Sequence, residues 1–206
     1  MIDAVIFDLG GVVFESPLAV IAEYEDEQAI ATGTINRVVM TTGSGGAWAQ
    51  YERAEISHEE FCDRFTDECA RRGARVDVAA LMGRIDRATL PRPKMLDTIS
   101  ELRARGWLVA ALTNNWTPLR QPSFTDRFDV VVESSVEGVR KPQPRIYELV
   151  LDRLGIAASS ALFLDDIGAN LKPAKAMGMT TIKVADVGQA IDEMWRTLQI
   201  DQRSLE

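Results

Sequence analysis

The sequence predicts an α/β protein in which a doubly wound parallel sheet carries an inserted, all-helical cap. Short apolar runs, typical of buried parallel strands, alternate with amphipathic helical patterns in the second half of the chain. One such run also opens the chain, whereas residues 15–91 contain only helical patterns. Strands that alternate with helices form parallel sheets with right-handed crossovers. We therefore expect a core of residues 1–14 and 92–206 and a cap of residues 15–91.

The first strand is predicted at Ala4–Phe7, an apolar run that stops abruptly at Asp8. Gly10 and Gly11 then predict a turn, and the chain passes into the cap. The cap's clearest helix is expected after Ser57, where a glutamate three residues on completes a capping box. Its apolar residues follow at intervals of four, which indicates one buried face.

The remaining strands and helices of the core follow residue 91. Four apolar runs predict its strands: Trp107–Leu112, Val130–Val132, Ala161–Leu164 and Thr180–Val184. Helical patterns separate these runs and are expected to begin at Pro93, Pro144 and Asn170, with a last one around residues 191–198. We interpret Asn170 as the N-cap of its helix, a position that asparagine favours.

Composition excludes several classes of function. The 206 residues include 23 Lys and Arg against 31 Asp and Glu, a net charge of −8. An acidic chain without a basic cluster lacks the electrostatic footprint of a nucleic-acid-binding protein. No apolar stretch approaches the roughly 18–20 residues that span a bilayer. The first residues do not resemble a secretory signal, so we expect a cytoplasmic protein without nucleic-acid or membrane partners.

Cysteine and histidine offer little chemistry in this chain. Cys62 and Cys69 are predicted to lie in one helix, about 10 Å apart along its axis, which is too far for a disulfide. With His58 as the single histidine, the spacing of a structural zinc site is absent. Any enzymatic reaction should therefore depend on carboxylates, a lysine and a hard metal ion.

Polar residues follow three of the predicted strands at the point where each strand ends. Asp8 follows the first, Thr113 and Asn114 follow the second, and Asp165 and Asp166 follow the fourth. A further loop, after the third strand, carries Lys141. Open α/β sheets bind ligands outside the carboxyl ends of their strands, so we expect these side chains to converge in one cleft.

These residue types together favour phosphoryl transfer. Three neighbouring carboxylates repel one another unless a cation lies among them, and a few oxygen ligands suit Mg²⁺. The lysine, threonine and asparagine supply donors for a second, anionic group. A cleft that holds both a cation and an anion provides the charge neutralisation that phosphoryl transfer requires, and one carboxylate can act as the nucleophile.

The ordered set of motifs resembles the haloacid dehalogenase-like superfamily of phosphohydrolases. The matching segments are residues 7–12 (FDLGGV), 112–114 (LTN), 141–142 (KP) and 163–166 (FLDD). Two longer segments, residues 112–116 and 164–174, are similar to the N-terminal phosphatase domain of soluble epoxide hydrolases. The resemblance covers nearly the whole chain, is weakest in the cap, and implies a Rossmann-like core.

This resemblance implies a role for each motif residue. Asp8 would be the nucleophile that becomes an aspartyl-phosphate. Thr113 and Asn114 would bind the phosphate of a small-molecule phosphate ester, and Lys141 would neutralise it and orient Asp8. Mg²⁺ would be held by Asp8, by Asp166 and by the backbone carbonyl of Gly10, with Asp165 as the supporting partner.

Gly10 departs from the family pattern. Most phosphatases of the family have a second aspartate there, which protonates the leaving group and then activates water. General acid–base catalysis is worth roughly 10²- to 10⁴-fold, so we expect slow hydrolysis of the aspartyl-phosphate. Two alternatives remain open: a 2-haloacid dehalogenase, which retention of Asp165 and Asp166 disfavours, and a protein that binds a phosphorylated ligand without turnover.

Two aromatic residues have two open interpretations. Trp48 in the cap and Trp116 after the second strand could shape a substrate pocket or could serve only in packing, the commoner role of a buried aromatic ring. The resemblance to epoxide hydrolases suggests a lipid-like or acyl phosphate as substrate.

Overall fold

Five parallel strands form a single sheet in the computed structural model, which describes the backbone of residues 1–203 and the side chains of residues 1–198. The strands are β1 (Ala4–Phe7), β2 (Leu108–Thr113), β3 (Val130–Glu133), β4 (Ala161–Asp165) and β5 (Thr180–Lys183). Their order across the sheet is β3-β2-β1-β4-β5, and every neighbouring pair is parallel. Because the chain winds outward from β1 in both directions, the predicted doubly wound fold is confirmed.

Helices occupy the connections between the strands. Those between β1 and β2 are α1 (Pro17–Glu27), α2 (Thr34–Thr42), α3 (Ala47–Glu52), α4 (His58–Ala70), α5 (Val78–Ala88) and α6 (Pro93–Ala104). After β2 follow α7 (Pro122–Thr125), α8 (Ser134–Glu137), α9 (Pro144–Leu154), α10 (Gly168–Ala176) and α11 (Val187–Arg203). None of the helices in the described residues has both the length and the apolar character needed to cross a bilayer.

Local sequence signals set several of these boundaries. The hydroxyl of Ser57 accepts a hydrogen bond from the backbone N–H of Glu60 at 3.1 Å, so the serine half of the predicted capping box is present, whereas the Glu60 carboxylate pairs with Arg64. Proline occupies the first turn of both α6 and α9, where its missing N–H costs nothing. The prediction for α10 is wrong: this helix begins at Gly168, and Ile167 rather than Asn170 is its N-cap.

Both faces of the sheet are buried under helices. Alternate residues of β1 point to opposite faces, so Val5 and Phe7 belong to one apolar cluster and Ile6 to another. The first cluster includes side chains of α6 and α11, and the second includes side chains of α9 and α10. Helix packing on both faces explains why the strands are continuous apolar runs rather than alternating ones.

The helices α1–α5 have an apolar cluster of their own. Its buried members come from residues 21–85, and Phe61, Phe65 and Cys69 of α4 are completely buried within it. Trp116, which follows β2, packs against this cluster from the side of the sheet. Because the cluster is separate from the two that cover the sheet, we propose that residues 15–91 form a cap and that residues 1–14 and 92–203 form the core; the last three residues of the predicted core, 204–206, lie outside the described residues.

The turn after β1 brings the backbone close to the end of β4. Gly11 has a φ of +79°, and a Cβ atom at this position would lie 2.1 Å from Oδ2 of Asp166. Glycine is therefore required at position 11 for both its backbone conformation and its lack of a side chain. Gly10 differs, because a Cβ there would have Pro17 Cδ as its nearest neighbour, at 3.8 Å. The fold thus has space for a Cβ atom at position 10, whereas at position 11 a Cβ atom would displace the Asp166 carboxylate.

Replacing Phe61 should loosen the cap without loosening the sheet. We expect Phe61→Ala to remove roughly 3–5 kcal/mol of packing free energy and to speed hydrogen exchange at amides of α4 and α5. Phe163→Ala, which removes a completely buried ring of β4, is the matched variant and should speed exchange in the strands instead. Equal acceleration throughout the chain in both variants would contradict separate clusters.

Replacing Gly11 should cost more than replacing another left-handed glycine. Gly155 has a φ of +68° and open space where a Cβ atom would lie, so its substitution by alanine incurs only backbone strain of about 1–3 kcal/mol. Gly11→Ala should lose more because Asp166 must also move. Urea denaturation of the two variants measures the difference in their free energies of unfolding. Equal decreases would show that Asp166 can move aside without a loss of stability.

Candidate active site

The site residues that the sequence predicts lie at the carboxyl edge of the sheet. Asp8 follows β1, Thr113 ends β2 and Asp165 ends β4, and β1 lies between the other two strands. Asp166 follows β4, and Lys141 lies in the loop between α8 and α9. Parallel pairing alone brings the three strand ends together, since neighbouring parallel strands end at the same edge.

Lys141 is a buried cation between two carboxylates. Its side chain is 1% exposed, and its Nζ lies 2.7 Å from Oδ1 of Asp8 and 2.7 Å from Oδ2 of Asp165. Burial lowers the pKa of Lys141, but the charges and hydrogen bonds of Asp165 and Asp8 outweigh it, so the net pKa is raised. The ammonium therefore stays charged, and the ion pairs compensate for its removal from water.

Asp8 is held through one of its two carboxylate oxygens. Oδ1 accepts a hydrogen bond from the Leu9 backbone N–H at 2.6 Å and contacts Lys141 Nζ. Burial raises the pKa of Asp8 well above its ordinary value, Lys141 opposes that rise, and Asp165 and Asp166 add to it. Because both contacts are made to Oδ1, the carboxylate has a fixed orientation that leaves Oδ2 as the oxygen available for chemistry.

Asp165 is saturated by protein donors. Besides Lys141, its carboxylate accepts hydrogen bonds from the Ile167 N–H at 2.7 Å and from the Asn170 amide at 3.1 Å to each oxygen. Asn170 is held in turn, because Tyr147 donates its hydroxyl to the Asn170 backbone carbonyl at 2.7 Å. The side chain of Asn170 thus orients Asp165, and its predicted capping role is replaced by this contact across the first turn of α10.

Asp166 is the carboxylate with a buried oxygen that lacks a partner. Its Oδ1 is buried and has no hydrogen-bond partner among the described residues. Burial and the neighbouring charge of Asp165 raise the pKa of Asp166 to about 6, against the opposing effect of Lys141. An ionised carboxyl in this position is costly unless a cation approaches it.

The three carboxylates form a group that fits a hard metal ion. One carboxylate oxygen from each of Asp8, Asp165 and Asp166 lies within 4.8 Å of the other two. A single lysine neutralises only part of their charge, and one oxygen of Asp166 is left without a partner. Oxygen-only donors and a net negative charge are the properties of Mg²⁺ sites, so these residues fit such an ion.

Asn114 positions the lysine loop. Its side-chain amide donates to the backbone carbonyl of Lys141 at 3.0 Å and accepts from the Lys141 N–H at 2.8 Å. Thr113, buried at the end of β2, directly precedes it. The sequence assigned both residues to phosphate binding; the structure gives Asn114 a role in holding Lys141, and phosphate binding by both residues stays a prediction.

A cavity of about 820 Å³ opens over Asp8 and Asp166. Its cap side is largely apolar, and the apolar side chains there include Leu18, Ile21, Val39, Met40, Trp48 and Ile85. The rings of Trp48 and Trp116 meet edge to face at 6.0 Å, and both also line the cavity. Both interpretations of these tryptophans therefore apply, because each ring packs against its neighbours and also lines the cavity.

The sequence did not indicate one pair of charged residues in this cavity. Glu52, at the end of α3, is buried, and its Oε2 lies 2.5 Å from Nε of Arg140, the residue before Lys141. Trp48 donates its indole N–H to Glu52 Oε1 at 3.0 Å, and Ser134 donates its hydroxyl to the Glu52 backbone carbonyl at 2.6 Å. Local sequence offers no signal for this arrangement, because the partners of Glu52 in the core lie more than eighty residues away.

Three relatives are similar to this chain over most of its length. Acyl-CoA dehydrogenase family member 10 of Mus musculus is 40% identical over 198 residues, 93% of this chain and 18% of that protein. Bifunctional epoxide hydrolase 2 of Sus scrofa is 30% identical over 209 residues, 93% of this chain and 38% of that protein. The chain thus spans well under half the length of these two. Sesquiterpene phosphatase astK of Aspergillus oryzae is 27% identical over 189 residues, 89% of this chain and 90% of that protein.

Solved structures share the fold. A HAD-like family hydrolase from Porphyromonas gingivalis superposes with a TM-score of 0.67 at 21% identity, covering 95% of this chain and 98% of that one. A HAD family enzyme from Bacteroides thetaiotaomicron, crystallised with magnesium and inorganic phosphate, superposes with a TM-score of 0.59 at 22% identity, covering 89% and 94%. The family model for haloacid dehalogenase-like hydrolases matches residues 2–178. This chain therefore belongs to the haloacid dehalogenase-like hydrolase family.

Proposed function

We propose that this hydrolase is a Mg²⁺-dependent phosphatase that cleaves a phosphate monoester through an aspartyl-phosphate on Asp8. The observation that carries the proposal is the arrangement around Asp8: Lys141 holds Oδ1, and the Asp166 carboxylate, whose buried Oδ1 has no partner, lies beside it. The similarity to a sesquiterpene phosphatase, and to an enzyme crystallised with magnesium and phosphate, supports the same reaction.

Asp8 performs the covalent step. Its free Oδ2 attacks the phosphorus atom, a new P–O bond forms, and the bond to the leaving alcohol breaks with its electron pair on the alcohol oxygen. Lys141 keeps Oδ1 in place and brings positive charge to the phosphate oxygens. Thr113, at the end of β2, supplies a hydroxyl donor for the same phosphate.

Asp8, Asp166 and the backbone carbonyl of Gly10 would hold Mg²⁺, with Asp165 as their support. The ion, when bound, neutralises phosphate charge that the single lysine leaves uncompensated. Asp165 contributes mainly through its contacts with Lys141 and Asn170, because its two oxygens are already occupied by protein donors. The metal set supports phosphate chemistry over the metal-free dehalogenase alternative.

The cavity favours a phosphate ester with an apolar organic group. Cap residues on its far side from Asp8 present aliphatic and aromatic surface, which binds hydrocarbon rather than a sugar or a dicarboxylate. A small-molecule phosphate ester is thus the partner that we propose, and a cytoplasmic location stays a prediction from the sequence.

Asp8→Asn should abolish metal-dependent phosphate release while the protein stays folded. Its amide cannot act as the nucleophile, yet it retains the size of the carboxylate. The assay follows phosphate release from a panel that includes alkyl, terpenyl and glycolyl phosphates, with Mg²⁺ or with excess chelator. Release by the variant, or release that survives chelation, would refute the proposal; a preference for apolar esters would support the substrate class.

Asp166→Asn should have opposite effects on the metal-free protein and on its response to Mg²⁺. Without metal, the change removes a partly buried negative charge, one of whose oxygens is buried without a partner, and should therefore raise the free energy of unfolding. Saturating Mg²⁺, at about a hundredfold its Kd, should stabilise the unaltered protein by about 2.7 kcal/mol and the variant much less. Thermal denaturation measures both, with Asp186→Asn, a change remote in sequence from the site, as control. Equal Mg²⁺ stabilisation of both proteins would exclude Asp166 as a ligand.

A further inference from the structure

Gly10 leaves the proposed reaction without a proton donor and acceptor for the leaving group and the water. The cavity contains few candidates for that role. Besides Asp8 and Asp166, the described carboxyl groups that line it are those of Glu52 and Asp86, both from the cap. Asp86 is exposed on α5, whereas Glu52 is 6% exposed at the end of α3.

Glu52 is held in place from both sides of the cavity. Trp48 of its own helix donates to Oε1, and Arg140 of the core approaches Oε2. Its backbone carbonyl is fixed by Ser134, which begins α8 in the core. Oε1 accepts one hydrogen bond, and Oε2 lies beside Arg140 without a hydrogen bond, so each oxygen can still bind or release a proton.

Glu52 is also electrostatically connected to the reacting centre. Arg140 directly precedes Lys141, whose ammonium contacts Asp8. Burial raises the pKa of Glu52, while Arg140, the indole hydrogen bond and Lys141 lower it, and the net pKa is raised. The raised pKa favours the protonated form of this carboxyl relative to that of an exposed glutamate.

We propose that Glu52 of the cap is the general acid and base that position 10 of the core lacks. The inference rests on the proposed phosphatase function. It differs from the expectation drawn from Gly10 alone, because proton transfer is moved to another element rather than lost.

The two half-reactions balance with Glu52 as the single proton carrier. In the first, Asp8 displaces the alcohol from phosphorus, and the carboxylic acid of Glu52 gives its proton to the departing oxygen. In the second, the Glu52 carboxylate takes a proton from water as the water oxygen bonds to phosphorus. The P–O bond to Asp8 then breaks with its electron pair on Asp8, which releases inorganic phosphate and restores both carboxyl groups.

Glu52→Gln, Gly10→Asp and the double variant test this assignment. Glu52→Gln should lower kcat by roughly 10²- to 10⁴-fold. With p-nitrophenyl phosphate, whose leaving group needs no acid, it should show a burst of p-nitrophenol as the aspartyl-phosphate accumulates. Position 10 has room for a Cβ atom, so Gly10→Asp should restore most of the activity of Glu52→Gln.

The rescue by Gly10→Asp and the burst of p-nitrophenol distinguish a catalytic role of Glu52 from a structural one. If Glu52 only held Arg140 or fixed the cap, Glu52→Gln would slow both half-reactions, and Gly10→Asp would not restore it. An unchanged kcat in Glu52→Gln, or the same loss and burst in Asp86→Asn, would overturn the assignment, as would absence of rescue. Failure of the proposed function is distinguishable, because the unaltered protein would then release no phosphate in a Mg²⁺- and Asp8-dependent manner.

Discussion

The buried ammonium of Lys141 holds the ends of β1 and β4 together at the carboxyl edge of the sheet. It contacts Asp8 on one side and Asp165 on the other, both at 2.7 Å, and all three side chains are buried. An ion pair of this kind gains little net stability, because desolvation offsets the attraction, but loss of one partner leaves an uncompensated buried charge. The arrangement therefore fixes geometry more than it adds stability. Two asparagines keep these charged groups in position: Asn114 binds the backbone of Lys141, and Asn170 binds the carboxylate of Asp165.

Lys141 and the three carboxylates around it carry a net negative charge. Three carboxylates face one lysine, and the charge that is left concentrates at Asp166, whose pKa is raised to about 6, mainly by burial. In the proposed phosphatase, a bound divalent cation would reverse the sign of the local field, so that this negatively charged site could accept a phosphate anion. Gly11 contributes to this arrangement by its missing side chain, because Asp166 occupies the space that a Cβ atom would take.

The cap contributes the apolar wall of the cavity and the carboxyl group of Glu52, neither of which comes from the edge of the sheet. Its apolar surface encloses the cavity above Asp8, and its helix α3 inserts Glu52 between Trp48 and Arg140. The contacts of Glu52 cross from cap to core, so any opening between the two units must break an ion pair and the Ser134 hydrogen bond. Access of substrate and placement of the proton carrier are therefore linked in this fold.

Local residue patterns alone predicted the strands, their parallel arrangement and the meeting of Asp8, Thr113 and Asp165, because apolar runs and crossover helices can be recognised without knowledge of the packing. Tertiary structure decided which atoms those residues use. Asn114 binds the Lys141 backbone, Asn170 binds Asp165 instead of capping α10, and Glu52 meets Arg140 across the cavity. These contacts join residues that are distant along the chain or depend on where a helix begins, and local patterns do not encode such pairings. A buried polar atom needs a hydrogen-bond partner, and packing decides which partner lies close enough.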